Sequence, residues 1–202
     1  MSVGGLILAA GAGRRFGGPK QLAELDGVPL LQHAVDAMLG ADGIGPVRVV
    51  LGAHADRVLA AVDLGAATPV VCDGWDEGMA ASLRCGVAAL GGCDWVVVTL
   101  GDQPRITAQV IDAIMTEALR VPAGCAAVRA AYDGRPGHPV ALARSLFPAV
   151  AALRGDVGAR DLLDAAMTRS VEVGHLCRPD DVDVPADLEA LRPSVGGRRD
   201  AR

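Results

Sequence analysis

From the end of its first apolar run the chain reads Leu8-Ala9-Ala10-Gly11-Ala12-Gly13-Arg14-Arg15-Phe16-Gly17-Gly18-Pro19-Lys20. Glycines at this density let a backbone come close to an anion and turn its N–H groups toward it. Arg14, Arg15 and Lys20 add charge-assisted donors for the same oxygens. The chemistry is phosphate binding; the competing reading is a surface turn with solvated charges. Asp102 is the second candidate. It follows Gly101 at the end of Trp95–Leu100, the most hydrophobic run, where a carboxylate is costly unless something pairs with it. Mg²⁺ takes one or two carboxylates plus phosphate oxygens and water, which makes Asp102 the leading metal ligand. Its alternative role is an N-cap, although Pro104 and Thr107 already furnish a helix start.

Two familiar phosphate loops do not fit. The dinucleotide fingerprint G-x-G-x-x-G needs glycine where Phe16 stands, and an acid ending the second strand where Leu51-Gly52-Ala53 stands. The Walker pattern needs Gly-Lys-Ser/Thr, but Lys20 lies between Pro19 and Gln21. The loop is of another kind.

The elements that must carry these residues alternate. Val3–Ala10 is a continuous apolar run that suits a strand buried on both faces. A helical stripe follows over Pro29–Leu39, a strand over Val47–Leu51 and a helix over Ala55–Val62. Thr68–Cys72 reads as a strand, Gly78–Leu90 as a helix and Trp95–Leu100 as a strand. Thr107 is placed to cap a helix striped by Val110, Ile111, Ile114 and Met115. Cys125–Tyr132 and Pro139–Leu142 read as strands joined by the turn 133–137, a hairpin that would lie over the sheet edge as lid or dimer surface. Helices are expected over Ser145–Leu153 and Ala159–Met167, a strand over Val171–Leu176 and a last helix over Pro185–Leu191. This alternation predicts one α/β domain over residues 1–192, with a mostly parallel twisted sheet and helices on both faces. Residues 193–202, rich in Gly and Arg, are expected to be a disordered tail.

Composition removes several classes. Of 202 residues 51% are hydrophobic but only 2% aromatic, so the core is aliphatic and stacking platforms for single-stranded nucleic acid are not expected. A net charge of −5 leaves no overall basic footprint for nucleic acid. No apolar run reaches the length of a membrane span, and the first residues lack a basic leader region, so neither a membrane partner nor export is expected. The five cysteines form no C-x-x-C pair and read as reduced thiols, giving a cytoplasmic expectation.

The ordered motifs resemble the nucleotidyltransferases of the sugar-nucleotide and molybdenum-cofactor type, most of all the molybdopterin cytidylyltransferase (MocA-like) branch. The first loop continues into Gln21-Leu22 and Gly27-x-Pro29-Leu30-Leu31. Further marks are Glu77-Gly78-Met79-Ala80-Ala81-Ser82-Leu83-Arg84, Gly101-Asp102-Gln103-Pro104, Gly134-Arg135-Pro136-Gly137-His138-Pro139, Gly155-Asp156-Val157-Gly158-Ala159-Arg160 and Asp181-Val182-Asp183-Val184-Pro185-x-Asp187-Leu188. They span roughly residues 3–191. The resemblance implies a Rossmann-like, GT-A-like nucleotidyltransferase fold. It also implies attack of an anionic acceptor on the α-phosphate of a nucleoside triphosphate, with pyrophosphate expelled.

Both reactants are anionic, so such a protein must neutralise charge, align the groups and supply a metal. The resemblance makes Arg15 and Lys20 catalytic cations and adds Asp183 to Asp102 as a metal carboxylate, with Asp181 its rival and a helix N-terminal role its alternative. The triphosphate falls to the amides of Ala10, Gly11 and Gly13 within a nucleotide-binding set of Leu8, Ala9, Ala10, Gly11, Gly13, Arg14, Lys20 and Ser82. Ser82 is the implied base contact, where Ala80 and Ala81 depart from a Ser-rich pattern. His138, Asp156 and Arg160 face the acceptor by the same resemblance, with a turn and a helix cap as their structural alternatives. The implied activity is transfer of CMP from CTP to molybdopterin for a molybdenum hydroxylase, directly or through an accessory protein, with Mg²⁺ as cofactor. Guanylyl transfer, or transfer to a sugar or alditol phosphate, is the alternative within the class. A non-catalytic cofactor-binding chaperone is the alternative outside it.

Overall fold

The first strand, β1 (Val3–Leu8), is sandwiched: Val3 and Ile7 face one apolar cluster while Leu6 faces the other. That double burial is what an uninterrupted apolar run dictates. The computed structural model describes residues 1–156, 158, 162–163 and 167–192. The expected tail at 193–202, and most of the helix expected over Ala159–Met167, lie outside the described residues.

The chain continues through a short hairpin, β2 (Glu24–Leu25) and β3 (Val28–Pro29), into α1 (Leu30–Leu39), β4 (Val47–Leu51), α2 (Ala55–Ala61) and β5 (Thr68–Val71). Next come α3 (Met79–Ala89), β6 (Trp95–Leu100), α4 (Ala108–Ala118), β7 (Ala127–Tyr132) and β8 (Arg135–Ala143). The described elements end with α5 (Phe147–Ala152), β9 (Thr168–Glu172) and α6 (Pro185–Leu191). Seven strands form one sheet in the order β5-β4-β1-β6-β8-β7-β9, in which β8 runs against its neighbours β6 and β7.

Helices cover both faces, as the alternation predicts. Leu31, Val35 and Met38 of α1, Val58 of α2 and Val110, Ile111 and Ile114 of α4 fill one cluster. Ala81, Leu83 and Val87 of α3 and Val150 of α5 fill the other. A third, smaller cluster joins α6 to the β2–β3 hairpin and the start of α1 through Leu25, Leu30, Val182, Leu188 and Leu191. Thr107 occupies the N-cap position of α4, although its side chain makes no capping bond.

Three details differ from expectation. The hairpin of β7 and β8 is built into the sheet rather than laid over its edge, because β8 pairs with β6 from Trp95↔Ala143 to Val98↔Val140. Its turn is Asp133-Gly134 alone, with φ of 51° and 75°, the left-handed pair that a two-residue hairpin loop requires. β9 begins at Thr168, earlier than the expected Val171, because Thr168, Arg169, Ser170 and Glu172 hide an edge strand from any hydropathy reading. Asp26-Gly27, with φ of 54° and 81°, makes the same kind of turn in the unexpected β2–β3 hairpin.

Close approach of α3 to the sheet depends on Gly86, where a Cβ would lie 2.3 Å from Leu6 Cδ1 and 2.9 Å from Val50 Cγ2. Helix propensity alone makes Gly86→Ala stabilising by about 1 kcal/mol. Overpacking against two fully buried side chains reverses the sign. We expect a net loss of about 1 kcal/mol or more, read from the urea midpoint; an unchanged or raised midpoint would mean that the helix has room to move outward.

Candidate active site

β1 and β6 are parallel neighbours, with Leu8 opposite Leu100, so the glycine-rich loop and Gly101-Asp102 leave the sheet side by side. The Gly101 amide donates to Leu8 O at 2.9 Å and holds the two exits together. This is the carboxyl edge of an open α/β sheet, where such folds place ligands.

Within the loop, Gly13 has φ +64°, and its carbonyl accepts N–H bonds from Phe16 and Gly17 at 3.0 Å and Gly18 at 3.2 Å. A Cβ there would lie 1.9 Å from Gly18 O, so the turn closes only on glycine. The loop is pinned from below by Gln21, which is 3% exposed and whose Nε2 donates to Ala9 O and Gly11 O, both at 2.7 Å. Among the described residues the amides of Ala10, Gly11 and Gly13 donate to no protein acceptor. They form a set of donors suited to phosphate oxygens.

Lys20 follows this loop and stands at the focus of two carboxylates. Its Nζ donates to Asp102 Oδ2 at 2.5 Å and to Asp183 Oδ1 at 3.1 Å. Arg15 reaches Asp183 Oδ2 at 3.1 Å from a far more exposed position. Burial works against the Lys20 ammonium, but Asp102 and then Asp183 outweigh it and raise its pKa. The Val182 amide donates to Asp102 O at 3.0 Å, which clips the late segment onto the end of β6. Asp187 Oδ2 accepts from the Asp183 and Val184 amides at 2.8 and 2.9 Å, fixing the turn that presents Asp183.

Asp181 faces elsewhere. Its Oδ1 accepts from Gln103 Nε2 at 2.6 Å, and burial raises its pKa, with Asp102 and Asp183 adding to the rise. Of the two rivals, Asp183 shares Lys20 with Asp102. Asp102 Oδ1 is buried with no hydrogen-bond partner. A buried carboxylate oxygen without a donor fits a cation ligand. Among the described residues no group of three or more His, Cys, Asp or Glu gathers as a metal cage. Asp102 and Asp183 therefore match an ion that takes its remaining ligands from phosphate and water.

Beside these groups lies a cleft of about 950 Å³ whose walls include Leu8, Met79, Gln103, Arg129, His138 and Asp181. Arg135 and Arg178 also line it, so cationic side chains stand alongside the carboxylates. His138 sits on the wall, its carbonyl accepting from the Tyr132 hydroxyl at 2.7 Å. Burial, then Cys177, pushes the Tyr132 phenol upward, so it stays a donor. Asp156 lines the cleft too, and its Oδ1 accepts from the Met79 amide at 3.2 Å as a cap for α3. Arg160 lies outside the described residues. Ser82 is buried within α3 and is not on the cleft wall, which that helix reaches through Met79 and Leu83. Arg14 is exposed and makes no ion pair among the described residues.

Three residues within the quoted motifs have a supporting role that the motif reading does not assign. Gln21 and Gln103 stand inside the quoted motifs, but only their burial at 3% and 4% shows that they brace neighbouring groups. Asp187 is legible in principle, since an acid at the third position of a helix bonds back to the residues before it.

Two measurements test these braces. Gln21→Ala should weaken binding of a nucleoside triphosphate about tenfold, the equivalent of about 1.4 kcal/mol; unchanged affinity by calorimetry would remove Gln21 from the support of the loop. The amides of Val184 and Asp183 hold the Asp187 carboxyl below the usual carboxylate range. A lowered folded value means that its contribution is complete above pH about 4 and drains as pH falls through that value. Urea midpoints of wild type and Asp187→Ala should therefore differ at neutral pH and converge in acid. A gap independent of pH would assign the loss to packing.

Residues 5–172 match the family model described as the MobA-like NTP transferase domain. Nicotine blue oxidoreductase of Paenarthrobacter nicotinovorans is 36% identical over 167 residues, covering 80% of this chain and 81% of that protein. A probable molybdenum cofactor guanylyltransferase of Pyrococcus horikoshii is 32% identical over 111 residues, covering 55% of this chain and 54% of that protein. The crystal structure of Rv0371c from Mycobacterium tuberculosis in complex with manganese is 30% identical with a TM-score of 0.81, covering 96% of this chain and 100% of that one. With the family model spanning most of the chain and the fold shared along nearly its whole length, this protein belongs to the MobA-like NTP transferase family of nucleotidyltransferases.

Proposed function

We propose that the protein transfers CMP from CTP to a molybdopterin acceptor in the cytoplasm and releases pyrophosphate. The observation that carries the reading is Lys20, held between Asp102 and Asp183 beneath a loop of undonated amides. An acceptor phosphate oxygen attacks the α-phosphorus; the bond from that phosphorus to the β-phosphate bridging oxygen breaks, and its electron pair leaves on pyrophosphate. The amides of Ala10, Gly11 and Gly13 hold the triphosphate. Lys20 and Arg15 offset the charge that builds on the α-phosphate and the leaving group, the larger part of catalysis in such transfers.

Asp102 and Asp183 would hold a divalent cation, Mg²⁺ in this reading, which when bound shields the phosphate oxygens from the incoming anion. The manganese in the complex of the Mycobacterium tuberculosis protein supports a divalent ion. Arg129, Arg135, Arg178 and His138 stand on the cleft walls among Asp133, Asp156, Asp180 and Asp181, and in this reading the arginines would hold the phosphate of the acceptor. The recipient of the product would be a molybdenum hydroxylase or its accessory protein.

Similarity to nicotine blue oxidoreductase favours a second reading, an oxidoreductase activity. Against it, Phe16 interrupts the dinucleotide fingerprint and β4 ends at Leu51 without an acid for a ribose.

The deciding experiment measures pyrophosphate release with each NTP, Mg²⁺ or Mn²⁺ and molybdopterin, beside NAD(P)H oxidation with a dye acceptor. Release with CTP is expected; release with GTP alone would transfer the reading to guanylyl chemistry. Dye reduction without release from any NTP would favour the oxidoreductase, and neither reaction would favour a binding protein. Asp102→Asn should lower release by about 10²-fold or more with its melting temperature near wild type; an active variant would overturn the metal assignment.

A further inference from the structure

Away from the carboxylates, two cysteines meet where β5 runs out and α3 passes above it. Cys72 Sγ and Cys85 Sγ stand 2.6 Å apart, and both are free thiols. Unbonded carbons already need about 3.5–4.0 Å, and sulfur is larger, so this is closer than two indifferent side chains settle. Cys72 is buried at 1% exposure and held by its backbone, its amide donating to Leu51 O at 2.8 Å and its carbonyl accepting from the Trp75 amide at 3.2 Å. Cys85 is half-buried and is the more exposed residue of the two.

We propose that Cys72 and Cys85 are a redox-modification site, joined as a reversible disulfide when a hydroperoxide reaches Cys85. The Cys85 thiolate attacks the peroxide oxygen, giving a sulfenic acid and expelling hydroxide. Cys72 sulfur then attacks the sulfenic sulfur; the S–O bond breaks and the Cys72 proton leaves with that oxygen as water. In sum two thiols lose two hydrogens, and one hydrogen peroxide becomes two waters. A dithiol reverses the change.

Burial, with Cys85 beside it, pushes the Cys72 thiol up to about 12, so Cys72 stays protonated at neutral pH. The ring closed by the bond would contain Trp75, which packs on Gly52 beside Ala10 O, and the Met79 and Leu83 side chains of the cleft wall. Oxidation would thus tie the end of β5 to the helix that walls the cleft. This inference does not depend on which reaction the cleft supports.

The test uses the full chain in two arms, hydrogen peroxide and dithiothreitol, followed by alkylation in denaturant and tryptic digestion without reduction. Cys72 falls in the peptide Val58–Arg84, and Cys85 shares Cys85–Arg105 with Cys93. The expected result is a linked pair of these peptides in the peroxide arm, lost on reduction and in Cys85→Ser but kept in Cys93→Ser. The oxidised protein should also melt several degrees higher than the reduced one, because the bond restrains the unfolded chain. Alkylation of both cysteines after peroxide, or sulfinic acid at Cys85 with Cys72 alkylated, would overturn the proposal. If either Ser variant fails to fold, fragmentation of the wild-type linked peptides still places the bond at Cys85 or at Cys93.

Discussion

One ammonium governs the architecture of the site. Lys20 bridges two carboxylates that reach it from distant parts of the chain, one just past the end of β6 and one on a late loop. Like charges crowded at a strand end repel and lose solvation, and a buried carboxylate is tolerated only when paired. Remove the cation and Asp102 is left at the end of a buried strand beside Asp183, with Asp181 close enough to add to the repulsion. Everything else serves to bring these groups to one point: the glycine turn that sends the chain back to Lys20, the clip from Val182 and the brace from Asp187.

Topology makes that meeting possible. Because β1 and β6 are parallel neighbours, a cation following one strand and a carboxylate following the other emerge at the same edge. The antiparallel β8 then widens the sheet next to β6, and its outer stretch, paired with β7 alone, supplies His138 and Arg135 to the cleft. A continuous parallel sheet would have sent that connection to the opposite edge. The reversal of one strand places these cleft-lining side chains beside the charged cluster.

Much of this was legible in the residues. Strands buried on both faces announce themselves as unbroken apolar runs, and Val47–Leu51 and Trp95–Leu100 fall where those runs do. Asp102 stands out because a carboxylate ending such a run needs a partner. That Lys20 is the partner, and that Asp183 shares this lysine while Asp181 turns to Gln103, is not readable from spacing, because the two aspartates have the same chemistry and stand far along the chain. Gln21 and Gln103 look like surface amides until burial shows what they hold. β9 starts before the hydropathy pattern for the opposite reason: it is an edge strand, polar enough to lack an apolar signature. The place of the β7–β8 hairpin is not legible in the same way, because hydropathy cannot tell a strand inserted into a sheet from one laid upon it.

The small cluster of Leu25, Leu30, Val182, Leu188 and Leu191 is separate from the two large ones, and Arg105 fastens its far end by donating to Leu191 O at 2.6 Å. Segments of this kind open more readily than a central sheet. Asp183 stands just before that segment's helix, whereas Asp102 follows the central strand β6. A ligand that needs both oxygens binds only the docked form, so its apparent affinity contains the docking equilibrium of α6. The coupling is reciprocal: whatever bridges the two carboxylates tightens an apolar cluster it never touches, and a methyl group lost from that cluster is felt as weaker binding at the site.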